Sequence, residues 1–129
     1  MSVRYLPFDD VIKIHDDMIK HYGGSYGIRD EGLIRSAIAR PQATFGGEDL
    51  YDTIFDKAAA LFHSLMFNHA FVDGNKRTTV TTTARFLSMN GYELETTQEE
   101  LVDFPLKVEN NHLSLEQIAA WLEKYSKKG

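Results

Sequence analysis

The 129-residue sequence contains no cysteine, only three prolines and a single tryptophan. The absence of cysteine excludes disulfide frameworks, thiolate zinc sites and cysteine nucleophiles. No apolar run approaches the ~20 residues that a membrane span needs, and the N-terminal residues lack a signal-peptide apolar core. With 14 Lys and Arg against 19 Asp and Glu, the sequence also lacks the basic excess that nucleic-acid binding relies on. We therefore expect a cytoplasmic protein with no DNA or RNA partner and no membrane association.

The sequence is instead rich in helical periodicity, and its length predicts one domain over residues 1–129. Apolar residues recur at three-and-four spacing over residues 8–22, and a second stripe covers residues 30–41. Residues 41–51 read as a loop with a flexible Gly-Gly centre. Residues 52–68 are apolar around nearly the whole helix circumference, which predicts the buried central helix.

The second half of the chain predicts three more helices. Residues 76–90 read as a helix although β-branched threonines, which favour strands, fill its centre. Capping-box patterns at Thr97 and Ser114 open the other two, and Pro105 is expected to end or kink the first of these. The predicted fold class is all-α, a compact bundle of about six helices.

Residues 69–77, His-Ala-Phe-Val-Asp-Gly-Asn-Lys-Arg, differ from this helical background. The imidazole of His69 is a side chain that can accept a proton from a hydroxyl. Asp73 offers an anionic oxygen of the kind that Mg²⁺ prefers. Phe71 is most simply an apolar anchor for the loop.

The remaining loop residues suit an anion. Gly74 and Asn75 tolerate the backbone angles that point successive N–H groups into a concavity. Lys76 and Arg77 would neutralise phosphate charge. Taken alone, the same residues are equally compatible with an ordinary turn followed by a solvated pair of cations.

The loop resembles the signature of the Fic/Doc superfamily, His-x-Phe-x-[Asp/Glu/Asn]-[Gly/Ala]-Asn-[Gly/Lys]-Arg. Outside the loop, residues 22–24, 27–33 and 39–42 are similar to the N-terminal half of death-on-curing (Doc) proteins. The resemblance implies the all-α Fic/Doc (Fido) fold, with ATP and Mg²⁺ as cofactors.

The resemblance also implies roles for individual residues. His69 would be the general base on a target hydroxyl, Asp73 would hold Mg²⁺, and Phe71 would anchor the loop. The expected phosphate-binding residues are Gly74, Asn75, Lys76 and Arg77. By position in the chain alone, the flap that aligns a target peptide would comprise Thr44, Phe45, Gly46 and Gly47.

Three positions depart from the AMP-transferring Fic pattern. Lys76 replaces a small glycine, Val80 replaces a second arginine, and Ala70 replaces a proline. At these positions the sequence is similar to the Doc branch. That resemblance implies a nucleotide bound in the reversed orientation and transfer of the γ-phosphate to a Ser or Thr of a protein target. The target implied by the family is elongation factor Tu, so translation would be inhibited. Protein AMP transfer and a catalytically silent binding module remain the alternatives.

The sequence carries no copy of the inhibitory pattern [Ser/Thr]-x-x-x-Glu-[Gly/Asn] found in many Fic enzymes. The nearest stretch, residues 44–49, ends in Asp and lies in a glycine-rich segment. We therefore expect an antitoxin supplied in trans, whose disordered segment folds onto the toxin. His15 and His63 lie on buried helix faces and are expected to be packed rather than catalytic.

Overall fold

The computed structural model describes residues 2–129, so Met1 of the expected domain lies outside the described residues. The predicted mostly helical architecture is confirmed. Six α-helices follow one another along the chain: α1 (Phe8–Tyr22), α2 (Glu31–Ala39), α3 (Ile54–Asn68), α4 (Asn75–Met89), α5 (Gln98–Asn111) and α6 (Leu115–Lys124). Among these residues, no helix is long and apolar enough to cross a membrane.

Helix α3 is the central helix, as its apolar circumference predicts. It packs against α2, α4 and α6, and a continuous run from Lys57 to Phe62 on it is buried. Thr53 caps its start in a reciprocal arrangement, because the Thr53 hydroxyl accepts from Asp56 N at 3.0 Å and Asp56 Oδ2 accepts from Thr53 N at 3.4 Å. Burial of the helix therefore fixes the position of its C-terminal end, where the signature loop begins.

Helix α4 accommodates two of its buried threonines by bonding them back to its own backbone. The Thr79 hydroxyl donates to Asn75 O at 2.7 Å, and the Thr83 hydroxyl donates to Thr79 O at 2.8 Å. Both side chains are buried, and these bonds satisfy hydroxyls that would otherwise be costly there. The helix prediction for residues 76–90 is thereby confirmed despite the strand preference of threonine.

Pro105 does not end α5, so that part of the expectation is wrong. The helix runs on to Asn111 and buries Phe104, Pro105 and Val108 together. The packing of this face outweighs the one backbone hydrogen bond that a proline cannot donate. At the start of α5, Thr97 accepts from Glu100 N at 3.1 Å as predicted.

The structure also contains four short strands that the periodicity does not predict. The expected loop over residues 41–51 contains an antiparallel hairpin of β1 (Thr44–Phe45) and β2 (Glu48–Asp49). Near the C-terminus, β3 (Tyr92–Leu94) pairs with β4 (Ser126–Lys128). Strands of two or three residues are too short to show an alternation of apolar and polar positions.

Candidate active site

His69 lies at the C-terminal end of α3 with a left-handed backbone, φ 48° and ψ 50°. A residue with a Cβ rarely adopts this conformation, which costs on the order of 1 kcal/mol. The turn directs the chain away from the buried helix and leaves the imidazole exposed. The predicted base is therefore accessible to a hydroxyl on another protein.

The Asp73 carboxylate is held by two backbone donors. Ser25 N donates to Oδ2 at 3.1 Å, and Gly74 N donates to Oδ1 at 2.8 Å. These bonds, first that from Ser25 and then that from Gly74, lower the pKa of Asp73 below its ordinary value. The carboxylate is exposed and stays ionised at neutral pH, which is the state that binds a cation.

Within residues 2–129, no group of three or more His, Asp or Glu side chains converges on one point. Asp73 is the one carboxylate among the described residues that line the cavity beside it. Such a donor set fits Mg²⁺, which binds through one or two carboxylates together with substrate phosphates and keeps several waters. It would not provide the closed set of ligands expected of a structural zinc site.

The start of α4 provides an anion-binding concavity. Gly74 precedes the helix with φ 74°, and no side chain caps the N–H groups of the first turn. Uncapped donors and the positive end of the helix dipole favour a phosphate there. A cavity of about 290 Å³ adjoins this turn. Among its lining residues are six predicted site residues: His69, Asp73, Gly74, Asn75, Lys76 and Arg77.

The Asn75 side chain closes the signature loop on itself. Its Oδ1 accepts from Phe71 N at 3.1 Å, and its Nδ2 donates to Phe71 O at 3.0 Å. The amide is therefore engaged within the loop, which leaves the backbone N–H of Asn75 and the second hydrogen of its Nδ2 as donors for a phosphate. Phe71 is 3% exposed, as expected of the loop anchor.

Both cationic side chains that are predicted to bind phosphate lie at the rim of the cavity, each against a neighbouring side chain. Lys76 Nζ lies 3.5 Å from Glu109 Oε1 on α5, and the Arg77 guanidinium stacks 3.9 Å above the Tyr22 ring. The Lys76 pair is partly exposed, and such pairs contribute only about 0–1 kcal/mol. A phosphate can therefore compete with Glu109 for the ammonium group.

One of the N-terminal segments that resemble Doc proteins, residues 27–33, lies against the loop. Arg29 N and Asp30 N both donate to Ala70 O, at 2.8 and 3.0 Å, and Val72 N donates to Gly27 O at 3.0 Å. The loop is thus braced by a second backbone segment. Sequence reasoning recognised these residues by resemblance but missed their structural role, and it missed Ser25 entirely.

Gly24 leaves space for the Asp73 carboxylate, and we expect Gly24→Ala to displace that carboxylate. A Cβ at Gly24 would lie 2.6 Å from Asp73 Oδ2, and the glycine has φ +114°. We predict that the affinity for Mg²⁺-nucleotide falls by roughly tenfold or more, the equivalent of about 1.4 kcal/mol. Titration with a fluorescent ATP analogue measures this, and Gly23→Ala, where a Cβ meets nothing within 4 Å, is the control. Equal affinities in both variants would contradict the prediction.

The predicted flap, residues 44–47, forms strand β1 and the turn that leads into β2, and Phe45 in it is 83% exposed. Within residues 2–129, no flap residue lines the cavity. The base of the hairpin is attached to α3 by Lys57, whose side chain is 2% exposed. Lys57 Nζ donates to Asp49 Oδ2 at 3.1 Å and to Tyr51 O. A buried ammonium needs such partners, so the hairpin has a defined attachment.

His63 is packed as predicted and belongs to a polar cluster near the same base. One Arg40 nitrogen donates to His63 Nδ1 at 3.2 Å and to Ser64 Oγ at 3.0 Å, and another donates to the Tyr51 hydroxyl at 3.0 Å. Burial, and secondarily the charge of Arg40, lower the pKa of His63 below 6.5. His63 is therefore neutral at pH 7 and accepts a hydrogen bond.

This lowered pKa predicts how stability depends on pH. The contribution of neutral His63 is fully present above the unfolded-state pKa of 6.5 and is lost as pH falls through the lower folded-state value. We expect the urea midpoint of the wild-type protein to fall between pH 7.5 and 5.5 by more than that of His63→Gln, which keeps an acceptor without titrating. Parallel curves for the two proteins would contradict this assignment.

The fold agrees with comparisons to known proteins. The Fic/DOC family profile matches residues 5–87, which run from the chain before α1 to the last turns of α4. The chain belongs to the Fic/Doc family. A Fic/Doc relative named Toxin Doc, from Mycolicibacterium smegmatis, is 43% identical over 107 residues, covering 81% of this chain and 82% of that protein. A second, Protein kinase doc of Escherichia phage P1, is 30% identical over 122 residues, or 95% of each chain. The resemblance to the Doc branch is thus confirmed.

Proposed function

We propose that this protein is a Doc-type toxin kinase that transfers the γ-phosphate of ATP to a Ser or Thr hydroxyl of a protein target. The single observation that carries the proposal is the 290 Å³ cavity, where an exposed histidine, an ionised carboxylate and an uncapped helix N-terminus meet. The similarity to Protein kinase doc supports kinase chemistry over other reactions of the family.

In the proposed reaction, His69 takes the proton of the target hydroxyl while the hydroxyl oxygen bonds to the γ-phosphorus and ADP leaves. The N–H groups at the start of α4 orient the phosphates, and Lys76 and Arg77 neutralise the charge that they carry. Asp73 would hold Mg²⁺, which supplies further neutralisation of phosphate charge when bound. No covalent intermediate is needed, because positioning and charge provide the catalysis.

Lys76 is the residue that favours transfer of the γ-phosphate over transfer of AMP. Its side chain occupies the rim where a glycine would admit phosphates closer to the backbone, and it lines the cavity as a cation. Val80, at the position where a second arginine would grip phosphate, lines an adjoining apolar groove of about 370 Å³. Both observations support the reversed nucleotide of the Doc branch.

We expect Lys76→Gly to lower phosphate transfer by roughly 10²-fold, because it removes a charged phosphate contact. Lys76→Ala is the matched control, since it removes the cation without conferring glycine's backbone freedom. The double variant Lys76→Gly, Val80→Arg should gain measurable AMP transfer from α-labelled ATP, provided that circular dichroism shows it folded. Unchanged phosphate transfer in Lys76→Gly would contradict the proposed contact.

The proposed partner is an antitoxin supplied in trans, and the proposed target is elongation factor Tu, whose modification would inhibit translation. The stretch nearest to an inhibitory helix motif, residues 44–49, forms the β1–β2 hairpin rather than a helix. The names of the relatives support a toxin–antitoxin setting. We further propose that the fold acts as one cytoplasmic domain over residues 1–129.

The experiment that tests this function combines the purified protein, Mg²⁺ and ATP with a translation extract. Mass spectrometry should then find one abundant protein, elongation factor Tu, with a phosphoryl group on a Ser or Thr. An AMP adduct would establish the nucleotidyl-transfer alternative. No adduct with any extract protein, while the protein remains toxic on expression, would favour the silent binding module.

A further inference from the structure

The floor beneath the signature loop is formed by His15 of α1. Its side chain is 1% exposed, and its ring stacks on the Phe71 ring with centroids 3.9 Å apart and planes within 7°. Ile19, one turn further along α1, lies under the same part of the loop, since a Cβ at Gly74 would come 2.9 Å from Ile19 Cδ1. The loop therefore has no freedom to sink towards the helix.

His15 also bonds the loop backbone. His15 Nε2 lies 2.7 Å from Asp73 O, a carbonyl that can only accept a hydrogen bond. The proton must therefore reside on Nε2, which donates to a residue 58 positions away in the sequence. The other ring nitrogen, Nδ1, lies 3.4 Å from Asp16 Oδ1, so both nitrogens face acceptors.

The bond to Asp73 O has a consequence for the cavity. The Asp73 carbonyl belongs to the peptide that leads into Gly74 and the uncapped turn of α4. Because its oxygen accepts a hydrogen bond from buried His15, this peptide points its carbonyl oxygen away from the cavity. The N–H donors at the start of α4 are then left facing the cavity. If the peptide rotated, a carbonyl oxygen would compete with phosphate for those donors.

From this geometry we infer that His15 is a positioning residue, which acts through the Asp73–Gly74 peptide to keep the phosphate cradle and the Asp73 carboxylate in their binding form. His15 touches no substrate, because it lies outside the cavity lining. Its effect on turnover rests on the proposed function, but its effect on the loop does not.

Two variants separate the hydrogen bond from simple packing. His15→Leu fills the buried space without a donor, whereas His15→Gln carries an N–H₂ group that can reach Asp73 O. We expect His15→Leu to weaken binding of a fluorescent ATP analogue with Mg²⁺ by about tenfold, the size of one lost hydrogen bond to a backbone carbonyl. His15→Gln should stay within about threefold of wild type. The control is His21→Leu on the same helix, where the exposed ring hydrogen-bonds Asp17 O within its own helix.

Equal losses in His15→Leu and His15→Gln would overturn the inference, because packing alone would then explain them. Unchanged binding in His15→Leu would overturn it as well. A measurement on the wild-type protein covers the case in which neither variant folds. Nitrogen NMR of the His15 ring should show Nε2 protonated, and an unprotonated Nε2 would contradict the assigned bond.

Amide hydrogen exchange distinguishes failure of this inference from failure of the proposed function. Without nucleotide, His15→Leu should speed exchange at Val72, Gly74 and Thr78 by about tenfold, while the amides of α3 stay protected. Faster exchange in a protein that binds no nucleotide would uphold the positioning role and reject the kinase proposal. Unchanged exchange at these amides would reject the positioning role whatever the activity.

Discussion

His69→Ala should lower phosphate transfer by about 10³-fold, because a positioned general base contributes roughly 10²–10⁴-fold to such a reaction. The imidazole is exposed at the end of α3 and packs no core, so the variant should keep the melting behaviour of the wild-type protein. Single-turnover transfer from γ-labelled ATP to the target measures the effect. Nucleotide affinity should change little, since the proposed role of His69 is proton transfer.

His112→Ala is the matched control for this variant. His112 is the other non-glycine residue with a left-handed backbone among those described, φ 49°, and it also ends a helix with its side chain exposed. The two variants therefore share the change in side chain and backbone preference. If His69→Ala retained transfer while folded, or if His112→Ala lost as much, His69 would not be the base.

Asp73→Ala should remove most Mg²⁺-dependent nucleotide binding and lower transfer by roughly 10²-fold, because it deletes the one carboxylate at the cavity. Asp73→Asn is the sharper variant, since its amide oxygen can still accept from Ser25 N or Gly74 N while the charge is lost. In both variants, half-maximal activity should require a higher Mg²⁺ concentration than in the wild-type protein. Asp103→Asn, at an exposed position on α5, is the control. An unchanged Mg²⁺ dependence in Asp73→Ala would place the metal elsewhere.

The helices of this fold could be predicted from the sequence because they are long and periodic. The buried face of α3 follows from local residue order alone. The helix end expected at Pro105 was wrong because a proline is tolerated there through the packing of Phe104 and Val108, which no local rule contains. The β1–β2 hairpin was missed because its strands have two residues each.

The residues of the signature loop could be named from the sequence, but the contacts that hold them could not. The donors to the Asp73 side chain and backbone include Ser25 and His15, which are 48 and 58 residues away. Lys57 is another case, since a charged residue on an apolar helix gives no sign that it is buried against Asp49. Such contacts arise from how helices pack, so they become visible only in three dimensions.

The most direct test of the account is to run two transfer reactions side by side, one with ATP labelled on the γ-phosphate and one with ATP labelled on the α-phosphate. Both contain the purified protein, Mg²⁺ and a translation extract, and both are repeated with His69→Ala. The account predicts that only the γ-label reaches a protein and that His69→Ala abolishes it. Label from the α-phosphate with none from the γ-phosphate would contradict the kinase proposal and establish AMP transfer in its place.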